Sequence, residues 1–363
     1  MRPTVFLVAV SLLSLHLCLP VSARFFPNVS SIPHNLLLPN VKNTAWDSFR
    51  KFSGCHFGER FAGLTKLKQY FYYFGYIPDK VANFTDNFDD QLQSALRTYQ
   101  QNFNLNVTGQ LDEATVEQLI RPRCGNADIV NGSTSMNSGK AKATSNGLRT
   151  VSHYSFFPGT PRWRKQNLTY TFWPNNQLGD DTKSVFSRAF QRWAEVIPLN
   201  FTESGVYQSA DIRIGFFRGD HGDGEPFDGV LGTLAHAFSP PSGWFHLDLD
   251  ENWVISGDVT ASVISSAVDL ESVVVHEIGH LLGLGHSSDE EAIMYPTISA
   301  SSRKVDLRND DVLGIQQLYG TNPNYNTMLS PSVQQNDTSG TGCVDSRWAI
   351  NVLVAGGLVL MLL

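Results

Sequence analysis

Apolar residues recur at helical spacing in three places in the first third of the chain. Leu64, Leu67, Phe71 and Phe74 share one face, and Phe88, Leu92, Leu96, Tyr99 and Phe103 share another at steps of three or four. A shorter helix starts near Asp112, carries Val116, Leu119 and Ile120, and stops at Pro122. These patterns predict a small all-α, three-helix unit over residues 56–121. Residues 24–55, rich in Pro and Asn, read as a loose lead-in. Residues 129–152 are dominated by Ser, Asn and Gly, offer nothing to bury, and read as an exposed linker open to proteases.

The pattern is mixed over residues 153–320. Segments 168–172 and 211–217 alternate as strands do. Segment 180–196 is an amphipathic helix with Val185, Ala189, Trp193 and Val196 on one face and two aspartates at its positive N-terminal end. Segment 270–282 is apolar enough for a buried helix, and 309–319 reads as a closing one. Strands mixed with three helices predict an α/β or α+β domain.

The ends carry different signals. A positive start, an apolar run from Val5 to Leu19 and the small residues Val21-Ser22-Ala23 read as a secretory signal peptide over residues 1–23, the run being short for a membrane helix. At the far end, the linker 321–339 leads into small residues and then an uncharged apolar stretch from Trp348 to Leu363. Small residues, spacer and apolar tail match a GPI-attachment signal over 340–363, removed after anchoring at Ser339 or a neighbour. A single-pass helix is the alternative, but the stretch barely spans a bilayer and no positive residues follow it.

Composition narrows the classes. A formal charge of -7 and the lack of a Lys/Arg stripe argue against nucleic acid as a partner. Seven Asn-x-Ser/Thr sequons, at Asn28, Asn83, Asn106, Asn131, Asn167, Asn200 and Asn336, agree with export and glycosylation. Of four cysteines, Cys18 leaves with the signal and Cys343 with the tail. Cys55 and Cys124 then form no disulfide framework and need individual explanations.

The chemistry is concentrated in His276-Glu277-Ile278-Gly279-His280, followed by Gly283 and His286. On a helix His276 and His280 lie one turn apart and reach one zinc together. Were the helix to continue, residue 286 would sit about 15 Å along the axis from residue 276. Gly283, lacking a Cβ, can take the positive φ that ends the helix and turns His286 back. Three neutral imidazoles leave the fourth tetrahedral position open to water, and Glu277 is placed to take that water's proton.

Met294, in Ala292-Ile293-Met294-Tyr295-Pro296, follows the third histidine closely. The extended histidine motif with this methionine resembles the metzincins, and Ser287 after the third histidine resembles their matrix metalloproteinase subfamily. Pro122-Arg123-Cys124-Gly125-Asn126-Ala127-Asp128 is similar to that family's cysteine switch. The resemblance implies that Cys124 ligates the catalytic zinc in a latent form, with Arg123 and Asp128 paired across the loop. The family usually has Val-Pro where this chain has Asn126-Ala127, which implies a less rigid loop and leakier latency. The segment from His221 resembles the family's metal loop. It implies a structural zinc on His221, Asp223, His236 and His246, and a calcium on Asp228, Gly229, Asp248 and Glu251. The short loop between His236 and His246 argues against a second calcium at Asp211. His34, His56 and His153 read as surface residues.

The resemblance covers residues 50–320 and implies a zincin fold with a mixed, mostly parallel sheet and three helices. It implies a propeptide over 24–152, with its switch at 122–128, and a catalytic domain over 153–320. A catalytic domain with a GPI-type tail and no hemopexin domain resembles the plant members. The expected protein is a secreted, latent zinc endopeptidase on the outer face of the plasma membrane. Its expected substrates are extracellular or cell-wall proteins, and its activator another protease or itself. A new amino terminus near His153 or Tyr154 would pair with Asp310, as in relatives. Small Ser272 and the wall Pro296-Thr297-Ile298 imply an open pocket for a large apolar residue just after the cut bond. Two rival classes are a metalloenzyme acting on a non-protein substrate, against which the switch argues, and an inactive binding module, against which intact Glu277 argues.

Overall fold

The computed structural model of the protein describes residues 45–78, 83–136, 141–143 and 149–325. The signal segment, the sequons Asn28 and Asn336, Ser339 and the apolar tail lie outside the described residues. Among the described residues no helix is long and apolar enough to cross a membrane.

The first unit contains helices α1 (Leu64–Tyr73), α2 (Asp90–Asn102) and α3 (Glu113–Leu119). Asp89 and Asp112 cap α2 and α3, each accepting a backbone N–H three residues on. Leu64, Leu67, Phe71, Phe74, Leu92, Leu96 and Tyr99 fill its core, as their spacing predicts. The lead-in is less loose than expected, because a 3-10 helix over Asp47–Phe52 inserts Phe49 and Phe52, with Trp46 before it, into the same core. A run without period 3.6 is invisible to a helix search, yet three large rings gain more from burial than their loop costs to order. The start of the supposed linker is ordered too. A hairpin places Met136 at 0% exposure in that core, so the linker does bury apolar area.

In chain order the strands are β1 (Arg123–Cys124), the hairpin β2 (Ile129–Val130) and β3 (Ser133–Thr134), the pair β4 (Ala141–Ala143) and β5 (Arg149–Val151), and β6 (Tyr154–Phe156). Then come β7 (Asn167–Phe172), β8 (Asn200–Glu203), β9 (Ile212–Phe217), β10 (Thr233–Ala237), β11 (Trp244–Asp248), β12 (Asn252–Val254), β13 (Ala267–Asp269) and β14 (Leu284–Ser287). A six-stranded sheet runs β1-β10-β11-β9-β7-β8, parallel throughout except for the antiparallel β10–β11 pair. Helices α4 (Asp180–Val196), α5 (Leu270–Leu281) and α6 (Asn309–Tyr319) complete the mixed, mostly parallel domain. Ile212, Ile214, Phe245 and Leu247 are buried, while Trp193 of α4 donates from Nε1 to Val275 O of α5 at 2.9 Å. Glu271, almost fully buried at the start of α5, gathers Arg188 and Arg192 from α4 and Arg303 from the later loop.

The edge strand β10 is therefore closed by a strand of the N-terminal unit. Arg123 N donates to Gly232 O at 3.0 Å and Gly125 N to Ala235 O at 2.8 Å. The described sequons Asn83, Asn106, Asn131, Asn167 and Asn200 are all exposed. Asn167 and Asn200 face each other across β7–β8, with Asn200 Nδ2 donating to Asn167 Oδ1 at 3.1 Å.

Helix α5 ends where the sequence places its end. Gly283 has φ of 105°, and a Cβ there would lie 2.1 Å from Pro161 O. Gly283→Ala is expected to cost at least about 1–3 kcal/mol, the usual penalty for a strained left-handed residue. Equilibrium urea unfolding measures it, and an unchanged midpoint would show that this reversal tolerates a side chain.

Candidate metal centres and active site

The reversal at Gly283 brings His286, on β14, back to face His276 and His280 on α5. His276 Nε2 and His280 Nε2 are 3.1 Å apart, and the His286 ring centroid lies 4.9 Å from that of His280 and 5.5 Å from that of His276. The Cys124 thiol joins them, its Sγ 3.4 Å from His280 Nε2. One ligand atom from each of these four buried residues lies within 4.8 Å of every other.

The outer ring nitrogens are all engaged. His276 Nδ1 donates to Ile293 O at 2.7 Å, His280 Nδ1 to Leu284 O at 2.8 Å and His286 Nδ1 to Asp128 Oδ1 at 2.9 Å. Those bonds fix the tautomers and leave each Nε2 lone pair directed inward, the outer-shell arrangement of metal-binding imidazoles. His286 Nε2 and both Glu277 oxygens are buried with no protein partner. Burial pushes the Glu277 carboxyl up to about 8 and holds the His276 and His280 pKa values far below normal. Three neutral imidazoles and a thiol make a donor set that fits one zinc ion, whose charge would oppose the upward shift on the neighbouring Glu277 carboxyl.

The floor is tightly fitted. Met294 is fully buried, and a Cβ on Gly279 would meet its Sδ at 2.2 Å, so the glycine in the helix makes room for the methionine. Asp311, fully buried, accepts from Ile293 N at 2.9 Å and Met294 N at 3.0 Å and so holds the turn that carries the methionine. Sequence reasoning missed that role. Its only signal was the acidic pair opening α6, of which Asp310 alone was singled out. Asp310 Oδ1 accepts from His153 N at 2.9 Å, and its Oδ2 from Ser287 Oγ at 2.8 Å. His153 is half-buried, with Nδ1 3.0 Å from Ser288 Oγ, so it is not simply a surface residue.

The Arg123–Asp128 pair is bidentate and completely buried, at 2.6 and 3.0 Å, with the guanidinium stacked 3.7 Å from the Phe74 ring centroid. Burial alone would raise the Asp128 pKa, but Arg123 and the His286 hydrogen bond outweigh it and hold the value at about 2. Asn126 forms a rung of its own against the edge strand. Its Nδ2 donates to Ala237 O at 2.8 Å, and its Oδ1 accepts from Ala237 N at 3.1 Å. A valine at this position has neither group.

A second centre lies between β9, β10 and β11. Asp223 Oδ2 sits 2.8 Å from His221 Nε2, 2.8 Å from His236 Nε2 and 2.7 Å from His246 Nδ1. Four ligand atoms within 4.8 Å of one another fit a closed tetrahedral zinc site with no open position. Nearby, Asp228, Asp248 and Glu251 are gathered less tightly and each accepts a backbone N–H. Loss of hydration raises their pKa values to about 6, 6 and 8, repulsion from neighbouring carboxylates adds at Asp228 and Glu251, and Glu251 Oε2 has no hydrogen-bond partner. Asp248 and Glu251 are buried and Asp228 is exposed, and with only the Arg218 guanidinium acting against their charge these carboxylates fit a hard cation such as calcium. At Asp211 the carboxylate is already met by the Lys165 ammonium and by Thr169 N and Oγ1. A protein cation, the Lys165 ammonium, thus stands at that carboxylate.

Comparison with known proteins agrees with this geometry. The family model for matrixins matches residues 162–320, and a model for a peptidoglycan-binding domain matches the helical residues 62–119. The chain is 54% identical over 356 residues to Metalloendoproteinase 2-MMP of Arabidopsis thaliana, covering 95% of this chain and 93% of that protein. It is 57% identical over 334 residues to Metalloendoproteinase 5-MMP of the same plant, covering 91% and 90%. Identity to Metalloendoproteinase 1 of Glycine max is 50% over 283 residues, covering 77% and 90%. The chain therefore belongs to the matrixin family, zinc metalloendopeptidases that use catalytic and structural zinc together with calcium.

Proposed function

We propose that the protein is a secreted endopeptidase made as a latent zymogen, with Glu277 as general base and Cys124 as the group that holds it inactive. The observation carrying this reading is the Cys124 thiol among the three inward-facing Nε2 atoms, beside an unpartnered Glu277 carboxylate. His276, His280 and His286 would hold a zinc ion, which would supply Lewis acidity to a water molecule and to the peptide carbonyl. Glu277 takes the water's proton and passes it to the leaving nitrogen. With residues 24–152 gone, β10 becomes a free edge, where the Gly232 and Ala235 carbonyls accept from an extended substrate chain and the Ala237 amide donates to it.

His221, Asp223, His236 and His246 are proposed to hold the structural zinc, and Asp228, Gly229, Asp248 and Glu251 the calcium. The Asp310 contact with His153 supports a mature terminus near residue 153, since a freed ammonium there would meet a carboxylate already in position. Attachment to the outer membrane face by a GPI lipid, export by the signal segment and glycan addition at the sequons belong to the same reading. So do extracellular or cell-wall protein substrates, and activation by another protease or by the enzyme itself.

Three outcomes test the reading. Glu277→Gln, activated by removal of the propeptide, is expected to bind the same zinc as wild type by elemental analysis while casein digestion falls at least a hundredfold, the lower end for losing an acid–base group; a variant keeping most of its activity refutes the general base. Cys124→Ser is expected to digest casein without processing, and equal latency would refute the switch. Asn126→Val loses two hydrogen bonds, together about 1–3 kcal/mol, so the zymogen's Cys124 thiol should react with an aromatic disulfide reagent several-fold faster. An unchanged rate would show that Asn126 adds nothing to latency.

A further inference from the structure

Side chains alternate across a strand, so the six-stranded sheet has two faces of different character. Tyr170 of β7 and Phe245 of β11 turn inward and pack on Phe190 and Phe186 of α4. Trp244 therefore turns outward, together with Arg213, its register partner on β9. The Arg213 guanidinium carbon lies 4.8 Å from the Trp244 ring centroid. Tyr207, on the 3-10 turn before β9, stands 6.4 Å from Trp244 and 5.1 Å from Trp173, centroid to centroid. All three rings are half-buried, so each keeps part of its surface open to solvent.

The face continues into an open cleft. A Cβ on Gly243 would lie 3.3 Å from Trp163 Cη2, so this indole borders the strand that carries Trp244. Trp163 lines the cleft with Arg162, Arg164, Lys165, Pro241 and Tyr319. None of these residues lines the pocket that contains Glu277. Charge here is one-sided, although the chain as a whole carries -7. Lys165 meets Asp211, but among the described residues Arg162, Arg164 and Arg213 have no carboxylate within ion-pairing distance. Arg213 Nε is buried with no hydrogen-bond partner, a donor left open where an anion could take it.

We propose that this outer face binds an acidic polysaccharide of the uronate type, at a site separate from the catalytic cleft. The Arg213 fork takes a ring carboxylate through charge-assisted hydrogen bonds, and exposed Arg162 and Arg164 meet further carboxylates along the polymer. The C–H faces of the sugar rings lie on Tyr207 and the indoles, which offer rigid apolar area. An acidic peptide is the poorer fit. Strand β9 lies between β11 and β7, and β11 between β10 and β9, so this face has no free strand edge for a peptide backbone to join. Every residue of the site follows position 152, so loss of the N-terminal segment leaves it intact. Such a site would hold the protein on an acidic glycan matrix whether or not it is latent.

The test is calorimetric titration of the intact full chain, which makes it independent of any proteolytic activity. The probes are an oligogalacturonate, its methyl ester and polyglutamate, all in one calcium-containing buffer. The acid sugar is expected to bind at least roughly tenfold more tightly than its ester, the usual scale for a charge-assisted hydrogen bond. Arg213→Gln and Arg164→Glu should each weaken it about as much. Tyr207→Ala should weaken the oligogalacturonate several-fold and leave polyglutamate unchanged. Arg164 is exposed, so its variant reads the site even where Arg213→Gln unfolds the chain. Equal binding of acid and ester, or wild-type affinity in Arg164→Glu, would overturn the proposal. Polyglutamate bound as tightly as the acid sugar would show a surface that reads charge alone, and would overturn the assignment to a polysaccharide.

Discussion

The reversal of the chain at Gly283 is the constraint on which the rest depends. Two histidines one turn apart define only an edge of a metal site, and the third lies too far along the sequence to reach it from a continuing helix. A residue at φ of 105° with Pro161 O packed against its missing Cβ bends the backbone within three residues. It places His286 on a strand paired with β6. Everything that holds this geometry is buried beneath it: Met294 against Gly279, the Asp311 carboxylate on the turn amides, and Trp193 bonded across to α5.

The N-terminal segment up to residue 128 engages the centre at several points rather than by one thiol. Asp128 is shared between the Arg123 fork, the Tyr76 hydroxyl and His286 Nδ1, so the outer acceptor of one imidazole comes from the loop that carries Cys124. Phe103 packs edge-on against Tyr295, and Gln118 donates to Thr297 Oγ1, covering the pocket wall. Asn126 binds the edge strand through two side-chain hydrogen bonds where the usual family loop relies on a rigid proline. Rigidity and extra bonds are alternative ways to lower the free energy of the closed loop.

Buried polar groups explain why metal and fold belong together. Asp248 and Glu251 carry raised pKa values because burial penalises their charged forms, with repulsion from Asp248 and Asp228 adding at Glu251. A cation bound there would remove that penalty and add directly to the stability of the β9–β11 region. Glu271 shows the other solution, an equally buried carboxylate surrounded by three arginines.

Most of the site was legible in the residues themselves. Ligand types at fixed spacing and a glycine at the one place a helix has to stop are local facts, and local chemistry constrains them strongly. The long amphipathic helices were legible for the same reason, since 180–196 and 309–319 match α4 and α6 to the residue. Tertiary structure alone decided what carried no periodic signal: the 3-10 turn with Trp46, Phe49 and Phe52, the ordered hairpin at Met136, and the short strands β8, β10 and β11. It also decided the pairings between residues far apart in sequence, such as Asp128 with His286, Asn126 with Ala237, and Asp311 with the turn at Met294. Such contacts depend on which backbone groups the fold leaves facing one another, and no spacing along a chain encodes that.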